Sequence, residues 1–188
     1  MKRILAYIII LVYTLGCSKF LDKDPLGEVS ESTAFETESD VMSALVAVYN
    51  VLLNFPGVGH NVNEIISDNA LKGGEGPSDN PEFNEIAFSS TPTTNYHALQ
   101  IWSKGYLGVH RANVVLEKIP SINMDENVKH KIIAETKFLR AYFYFILVQH
   151  FGDVPLITAS NVESAKIERD SKELVYELIE KDLSEAAE

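Results

Sequence analysis

The chain has 188 residues, room for one ordinary domain or for one piece of a larger one. It carries 27 acidic against 16 basic side chains, a net charge of −11. No Lys/Arg stripe offsets that excess of carboxylates, which argues against nucleic acid as a partner and against an electrostatic hold on anionic headgroups.

The first element reads as a secretory signal. Met1-Lys2-Arg3 is a positive start, Ile4 to Gly16 is an apolar run, and Leu15-Gly16-Cys17 supplies the cut. The run falls short of the roughly 20 residues needed to span hydrocarbon, so residues 1–16 are expected to be cleaved rather than to cross a membrane. Cys17 is the only cysteine in the chain. It has no partner for a disulfide and no second thiolate to share a metal, so it reads as a lipid-anchor position at the start of the mature chain. The alternative is a buried core cysteine behind an ordinary signal peptide. Acyl chains on Cys17 would each contribute about 0.8 kcal/mol per buried methylene. Cleavage takes Lys2, Arg3 and no acid, leaving 14 bases against 27 acids and a net charge of about −13. Residues 17–32, with Asp22, Asp24, Pro25 and Gly27 and no periodicity, read as a tether, and 33–188 as the folded domain.

Thr37-Glu-Ser-Asp40 is a capping-box variant. It opens a helix whose Val41, Ala44, Leu45, Val48 and Leu52 recur at three- and four-residue steps, ending near Asn54. Val62 to Asp68 forms a second, short helix. From Asn69 to Asn95 the periodicity dissolves, and that stretch is expected to be a binding loop or a surface insertion. A helix from Tyr96 to Ile119 presents Ile101, Gly105, Val109, Ala112, Leu116 and Ile119 on one face, and small Gly105 and Ala112 admit a close neighbour. The next helix runs from Asp125 to His150 and ends at Gly152 in a left-handed cap. Its second half, Phe138 to Val148, is apolar almost all round and forms the core. Arg140 interrupts that half and requires a carboxylate or carbonyls, expected from another helix because Glu135 is badly spaced. Asp153 to Ile157 is extended. Asp170-Ser-Lys-Glu173 then opens a last helix with Leu174, Leu178, Ile179 and Leu183 on one face. This helix is expected to leave apolar surface exposed over 174–187. It carries no stop signal before Glu188, so the chain reads as the amino-terminal part of a longer protein. Long helices, short turns and scarcely any strand pattern predict an all-α domain of helix hairpins with long irregular loops.

Reaction chemistry is thinly represented. His60, His97, His110, His130 and His150 have no metal-ligand spacing and read as surface or helix-end residues. The glycine clusters lack phosphate-loop and dinucleotide spacing, and no nucleophile elbow is present. Glu64 and Asp68 stand four apart as solvated acids rather than a catalytic pair. Trp102 and Tyr106 read as core before aromatic surface. No catalytic residue, metal or cofactor is therefore expected.

A set of motifs nevertheless runs along the whole mature chain. After Cys17 come Phe20-Leu-Asp-x-Asp-Pro25, Phe35, Ala47-Val-Tyr-Asn50 and Ser67-Asp68. Trp102-x-x-x-Tyr106 with Ala112-Asn113 follows, then Glu135-x-x-Phe-Leu-Arg-Ala-Tyr-Phe-Tyr-Phe145. Phe151-Gly-Asp-Val-Pro-Leu156, Arg169-x-Ser171, Val175-Tyr176 and Asp182-Leu183 complete the set. This resembles the SusD/RagB family of nutrient-binding outer-membrane lipoproteins. The resemblance implies tetratricopeptide-like helix pairs, lipid anchoring through Cys17 on the cell-surface side of the outer membrane, and capture of an oligosaccharide or other nutrient. It also implies delivery to a SusC-like TonB-dependent transporter, with no catalysis. Starch-binding members use aromatic residues on loops, one of them following the position of Ser67-Asp68. Here that loop has no tryptophan, so no ligand residue is carried over. Its nearest rings are Phe83, Phe88 and Tyr96, of which Phe83 and Tyr96 are the candidate contacts. Two other classes compete with this reading: a tetratricopeptide-type envelope scaffold that binds proteins, and a lipid-anchored hydrolase with its catalytic residues beyond this sequence.

Overall fold

A computed structural model describes residues 35–53, 55, 60–67, 69–76, 78–161 and 167–188. Cys17, the signal, the tether and Asp68 lie outside the described residues. Six α-helices appear among them: α1 (Glu38–Leu53), α2 (His60–Ile66), α3 (Pro81–Ala87), α4 (Tyr96–Lys118, continued by a 3-10 turn Ile119–Ser121), α5 (Glu126–Phe151) and α6 (Lys172–Ala186). No strand forms among the described residues; Val154 and Asp170 make one isolated antiparallel bridge. The fold is all-α, as the periodicity predicts.

The helix starts follow their caps. The backbone N–H of Thr37 donates to Asp40 Oδ2 at 2.8 Å and the N–H of Asp40 donates back to Thr37 Oγ1 at 3.3 Å, a reciprocal box. The Thr37 hydroxyl also donates to Asp40, and these bonds hold its carboxyl below the ordinary range. Asp125 accepts from the N–H groups of Asn127 and Val128, and Ser171 from that of Leu174. Gly152 ends α5 with φ 67 and ψ −122, a backbone open to glycine but outside the left-handed helical cap expected.

α4 and α5 form an antiparallel hairpin at close range. A Cβ on Gly105 would stand 2.8 Å from Leu147 Cδ2, and one on Gly108 only 2.4 Å from Phe143 Cε2, so both positions exist to let the helices approach. α6 returns antiparallel along α5, where Lys137 meets Glu185 at 2.6 Å and Arg140 meets Asp182 at 2.7 Å. α1 packs on the other side of the hairpin. Arg111 donates to the Ala47 carbonyl at 2.6 Å, and the Tyr49 hydroxyl to Glu135 Oε2 at 2.9 Å.

Arg140 finds its carboxylate on another helix, as burial demands. Its Nε and Nη2 donate to the two oxygens of Asp182 at 2.7 and 2.8 Å, and Nη1 donates to Asn113 Oδ1 at 2.9 Å. Asn113 in turn donates to the carbonyls of Ile157 and Ala159. One buried network thus joins α4, α5, α6 and the extended segment after α5. That segment satisfies its backbone through side chains in place of a sheet. Tyr106 donates to Pro155 O, Tyr144 donates to Ile157 O and accepts from its N–H, and Asp170 accepts from the N–H of Leu156. Glu117 accepts from Ser160 N–H and hydroxyl, bonds that lower its carboxyl pKa.

Burial pushes the Tyr144 phenol up to about 12 from 10.0, against a smaller downward pull from the Ile157 N–H. The folded chain keeps this proton where the unfolded chain releases it near pH 10. The stability contributed is therefore complete below pH 10 and is lost as pH rises toward 12. Tyr144→Phe is expected to flatten that alkaline decline in a urea-unfolding series while costing about 1–3 kcal/mol at pH 7, because the Ile157 amide loses its partner.

One expectation about the helices is corrected and another refined. The stretch 69–95 is not wholly irregular, since α3 occupies its centre. Asn80 turns into the helix with φ 50 and Pro81 fills the first turn, but seven residues holding two large apolar side chains show no readable period. On α6 the buried residues are Val175, Ile179 and Asp182, whereas Leu174 and Leu183 are 46% and 41% exposed. The ion pair with Arg140 rotates the helix so that Asp182 faces inward. Apolar surface does remain exposed on α6, as expected.

Candidate ligand-binding site

The candidate rings converge through the junction of α3 and α4. Asn95, 1% exposed, caps α4 by accepting from the N–H of Ala98 at 3.1 Å, and its amide donates to Glu82 O at 3.0 Å and Glu85 Oε2 at 2.7 Å. This one side chain clamps α3 against the start of α4. The clamp brings Phe83 face to face with His97, centroids 4.0 Å apart and planes 16° apart, while Tyr96 meets the same imidazole edge-on at 5.5 Å. Phe83 is half-buried and Tyr96 is 55% exposed. Both named residues thus belong to one cluster, with His97 as its unanticipated centre; Phe88, 78% exposed, has no such ring contact among the described residues. Partial burial pushes His97 below its ordinary pKa, against a smaller upward pull from Glu82, so the stacked ring is neutral at pH 7. Asn95→Ala is expected to lower stability by about 1–3 kcal/mol, from the lost cap and the buried amide bonds, and to speed hydrogen exchange in the first turn of α4.

Phe83 also closes one side of a cup of about 530 Å³ lined by Glu64, Lys72, Asp79 and Asn80. Lys72 donates to the Gly76 carbonyl at 3.0 Å. Gly74, at φ 119, lets Asp79 come so close that a Cβ there would overlap its carboxylate. A flat apolar ring beside carboxylates, an amide and an ammonium can stack on one face of a small polyol and hydrogen-bond its hydroxyls.

A second concavity, about 650 Å³, runs between α2, the 89–93 turn, α4 and the end of α5. Trp102 lines it, held edge-on by Phe151 at 5.1 Å and leaning on Tyr106 at 4.9 Å. Trp102 and Tyr106 are both half-buried and pack against the core, and Tyr106 is held by Pro155. His150, at the end of α5, has Nδ1 2.8 Å from Ile146 O and Nε2 3.2 Å from Asn63 Oδ1. Arg169 sits 5.8 Å over the Trp102 ring. Sequence spacing could not assemble this set, whose members come from segments about 100 residues apart. Among the described residues no three His, Cys, Asp or Glu gather as a metal site, and no helix is long and apolar enough to cross a membrane.

The described helices form an all-α domain that carries an aromatic, polar-rimmed cup. Residues 19–188 match the SusD-like family, described as starch-binding and associating with the outer membrane, and the chain belongs to that family. It is 28% identical over 166 residues to SusD-like protein P25 of Formosa agariphila, covering 84% of this chain and 31% of that one. Among solved structures it is similar to a laminarin-binding SusD-like protein, with 36% identity, a TM-score of 0.72, and coverage of 81% of this chain and 34% of that one. A SusD homologue from Bacteroides thetaiotaomicron aligns at 31% identity and TM-score 0.69, covering 85% and 31%. The chain spans about a third of the length of these relatives.

Proposed function

We propose that the protein is a glycan receptor of the outer cell surface, anchored by lipid on Cys17, that passes its ligand to a SusC-like TonB-dependent transporter and breaks no bond itself. The observation that carries this reading is the Phe83–His97–Tyr96 cluster beside the polar cup, in a chain 36% identical to a laminarin-binding SusD-like protein. The neutral, stacked His97 stiffens Phe83, and the half-exposed Tyr96 adds a second ring, so a sugar face meets preorganised surfaces. Lipid tethering would raise the receptor's concentration around a transporter in the same membrane.

Affinity electrophoresis of the full-length protein in laminarin-containing gels tests the receptor step. Phe83→Ala and Tyr96→Ala are each expected to weaken retardation by about tenfold, near 1.4 kcal/mol, with an unchanged circular dichroism spectrum. Unaltered retardation in both variants would remove these rings from the site. Cys17→Ser should move the protein from the membrane fraction to the soluble one, and co-purification of a large β-barrel with the wild type tests the transporter step.

The envelope-scaffold reading has one observation in its favour. Met42, Val46 and Leu53 form an exposed apolar stripe on α1, 43–84% exposed, with Tyr49 at its edge against Glu135 of α5. A peptide-binding scaffold would show no affinity for sugars, which the same gels decide.

A further inference from the structure

The groove at Trp102 has a charge character opposite to that of the chain around it. Of the described side chains lining it, only Arg169 and His150 are of a basic type and none is a carboxylate, in a sequence with 27 acids to 16 bases. Three of the described acids are hydrogen-bonded within the fold. Asp153 Oδ1 accepts from Lys172 N–H at 3.0 Å, Asp170 Oδ2 from Leu156 N–H at 2.8 Å, and Glu85 Oε2 from Asn95 at 2.7 Å.

Arg169 is exposed but tied at two points. Its Nη1 donates to the Asp153 carbonyl at 3.1 Å and its guanidinium carbon stands over the Trp102 ring, while Nε and Nη2 have no acceptor among the described residues. A guanidinium held on an aromatic face, with donors to spare, is preorganised for a planar or tetrahedral oxyanion. Ser89, Thr91 and Thr93 line the same groove, and Ile86, Leu99 and Trp102 supply apolar wall. At about 650 Å³ the groove falls within the size range of small-ligand pockets.

We infer that this groove selects an anionic sugar, seating the ring against the Leu99–Trp102 wall and its carboxylate or sulfate on Arg169. The inference rests on the glycan-receptor reading and adds to it a second subsite, apart from the Phe83 cup, that prefers acidic sugars. Uronate carboxylates and sulfate esters share the required chemistry.

The test is calorimetric titration of the full-length protein with three oligosaccharide sets: laminarin (neutral), polygalacturonate (carboxylate) and carrageenan (sulfate). At least one anionic set is expected to bind more tightly than laminarin and to weaken as NaCl rises from 50 to 500 mM. Tighter polygalacturonate identifies a uronate ligand, and tighter carrageenan a sulfated one. Arg169→Gln should reduce anionic affinity by tenfold or more and leave laminarin affinity unchanged, while Arg169→Lys keeps most of the anionic binding. Binding of laminarin alone would overturn the inference and leave the receptor reading intact. Equal losses for neutral and anionic ligands in Arg169→Gln would also overturn it, since the residue would then be structural. No affinity for any of the three would sink both readings.

Discussion

Asp182→Ala is expected to destabilise the fold by about 3–5 kcal/mol, the largest cost of any single polar substitution in this chain. Asp182 is 1% exposed and supplies both oxygens to Arg140, so truncation strands a guanidinium in the core with Asn113 as its one remaining acceptor. Asp182→Asn should cost nearly as much. Its amide nitrogen would face the donors of Arg140, replacing an attraction with two hydrogens pointed at each other. For a domain of this size such a loss lowers the thermal midpoint by roughly 6–20 °C.

The cost belongs to breaking the pair and not to lacking it. A double replacement, Arg140→Met with Asp182→Leu, removes both charges and keeps similar volume, so it should recover most of the loss. Asn113 would retain its bonds to Ile157 and Ala159 and lose only the one from Arg140. Thermal unfolding of the two single variants and the double one separates these contributions. A double variant no better than either single one would mean that the network is needed for the fold itself.

The same network marks the boundary of what the amino-acid sequence discloses. That Arg140 needs an acid from another helix follows from its place in an apolar run, but Asp182 lies 42 residues away and nothing local selects it over Glu180 or Glu185. Apolar spacing placed Leu174 and Leu183 on one face of α6, but an inward carboxylate such as Asp182 cannot be read from it. α4 and α5 were legible because they are long and capped by Asn95 and Asp125, α4 through its period and α5 through its apolar second half. α3 was not, although Pro81 in a first turn is a helix-start signal, because Asn80-Pro81 reads equally as loop punctuation. For the site, Phe83 and Tyr96 could be named as exposed rings, yet their meeting on His97 depends on Asn95 reaching back to Glu82 and Glu85. The Trp102 groove depends on Arg169 arriving from beyond α5, a contact that no spacing encodes.

The α4–α5 interlock offers the second large effect, and a double-mutant cycle exposes its mechanism. Phe143 is fully buried, with Phe55 edge-on at 5.9 Å and the bare backbone of Gly108 on another side. Phe143→Ala should cost about 3–5 kcal/mol through lost transfer energy and a residual cavity. Gly108→Ala gains about 1 kcal/mol of helix propensity. Its Cβ, however, would stand 2.4–2.6 Å from three ring carbons of Phe143, and the ring is confined by Phe55, so a net loss of about 1–3 kcal/mol is expected. Gly105→Ala should cost less, because its Cβ would stand 2.8 Å from Cδ2 and Cγ of Leu147, a looser approach than the 2.4 Å at Gly108. With Phe143 already Ala, the new methyl of Gly108→Ala enters the vacated space and the propensity gain becomes visible. The double variant is therefore expected to be more stable than Phe143→Ala alone, a reversal of sign that denaturant titration would read directly. Simple addition of the two losses would mean that the helices separate rather than interlock at this point.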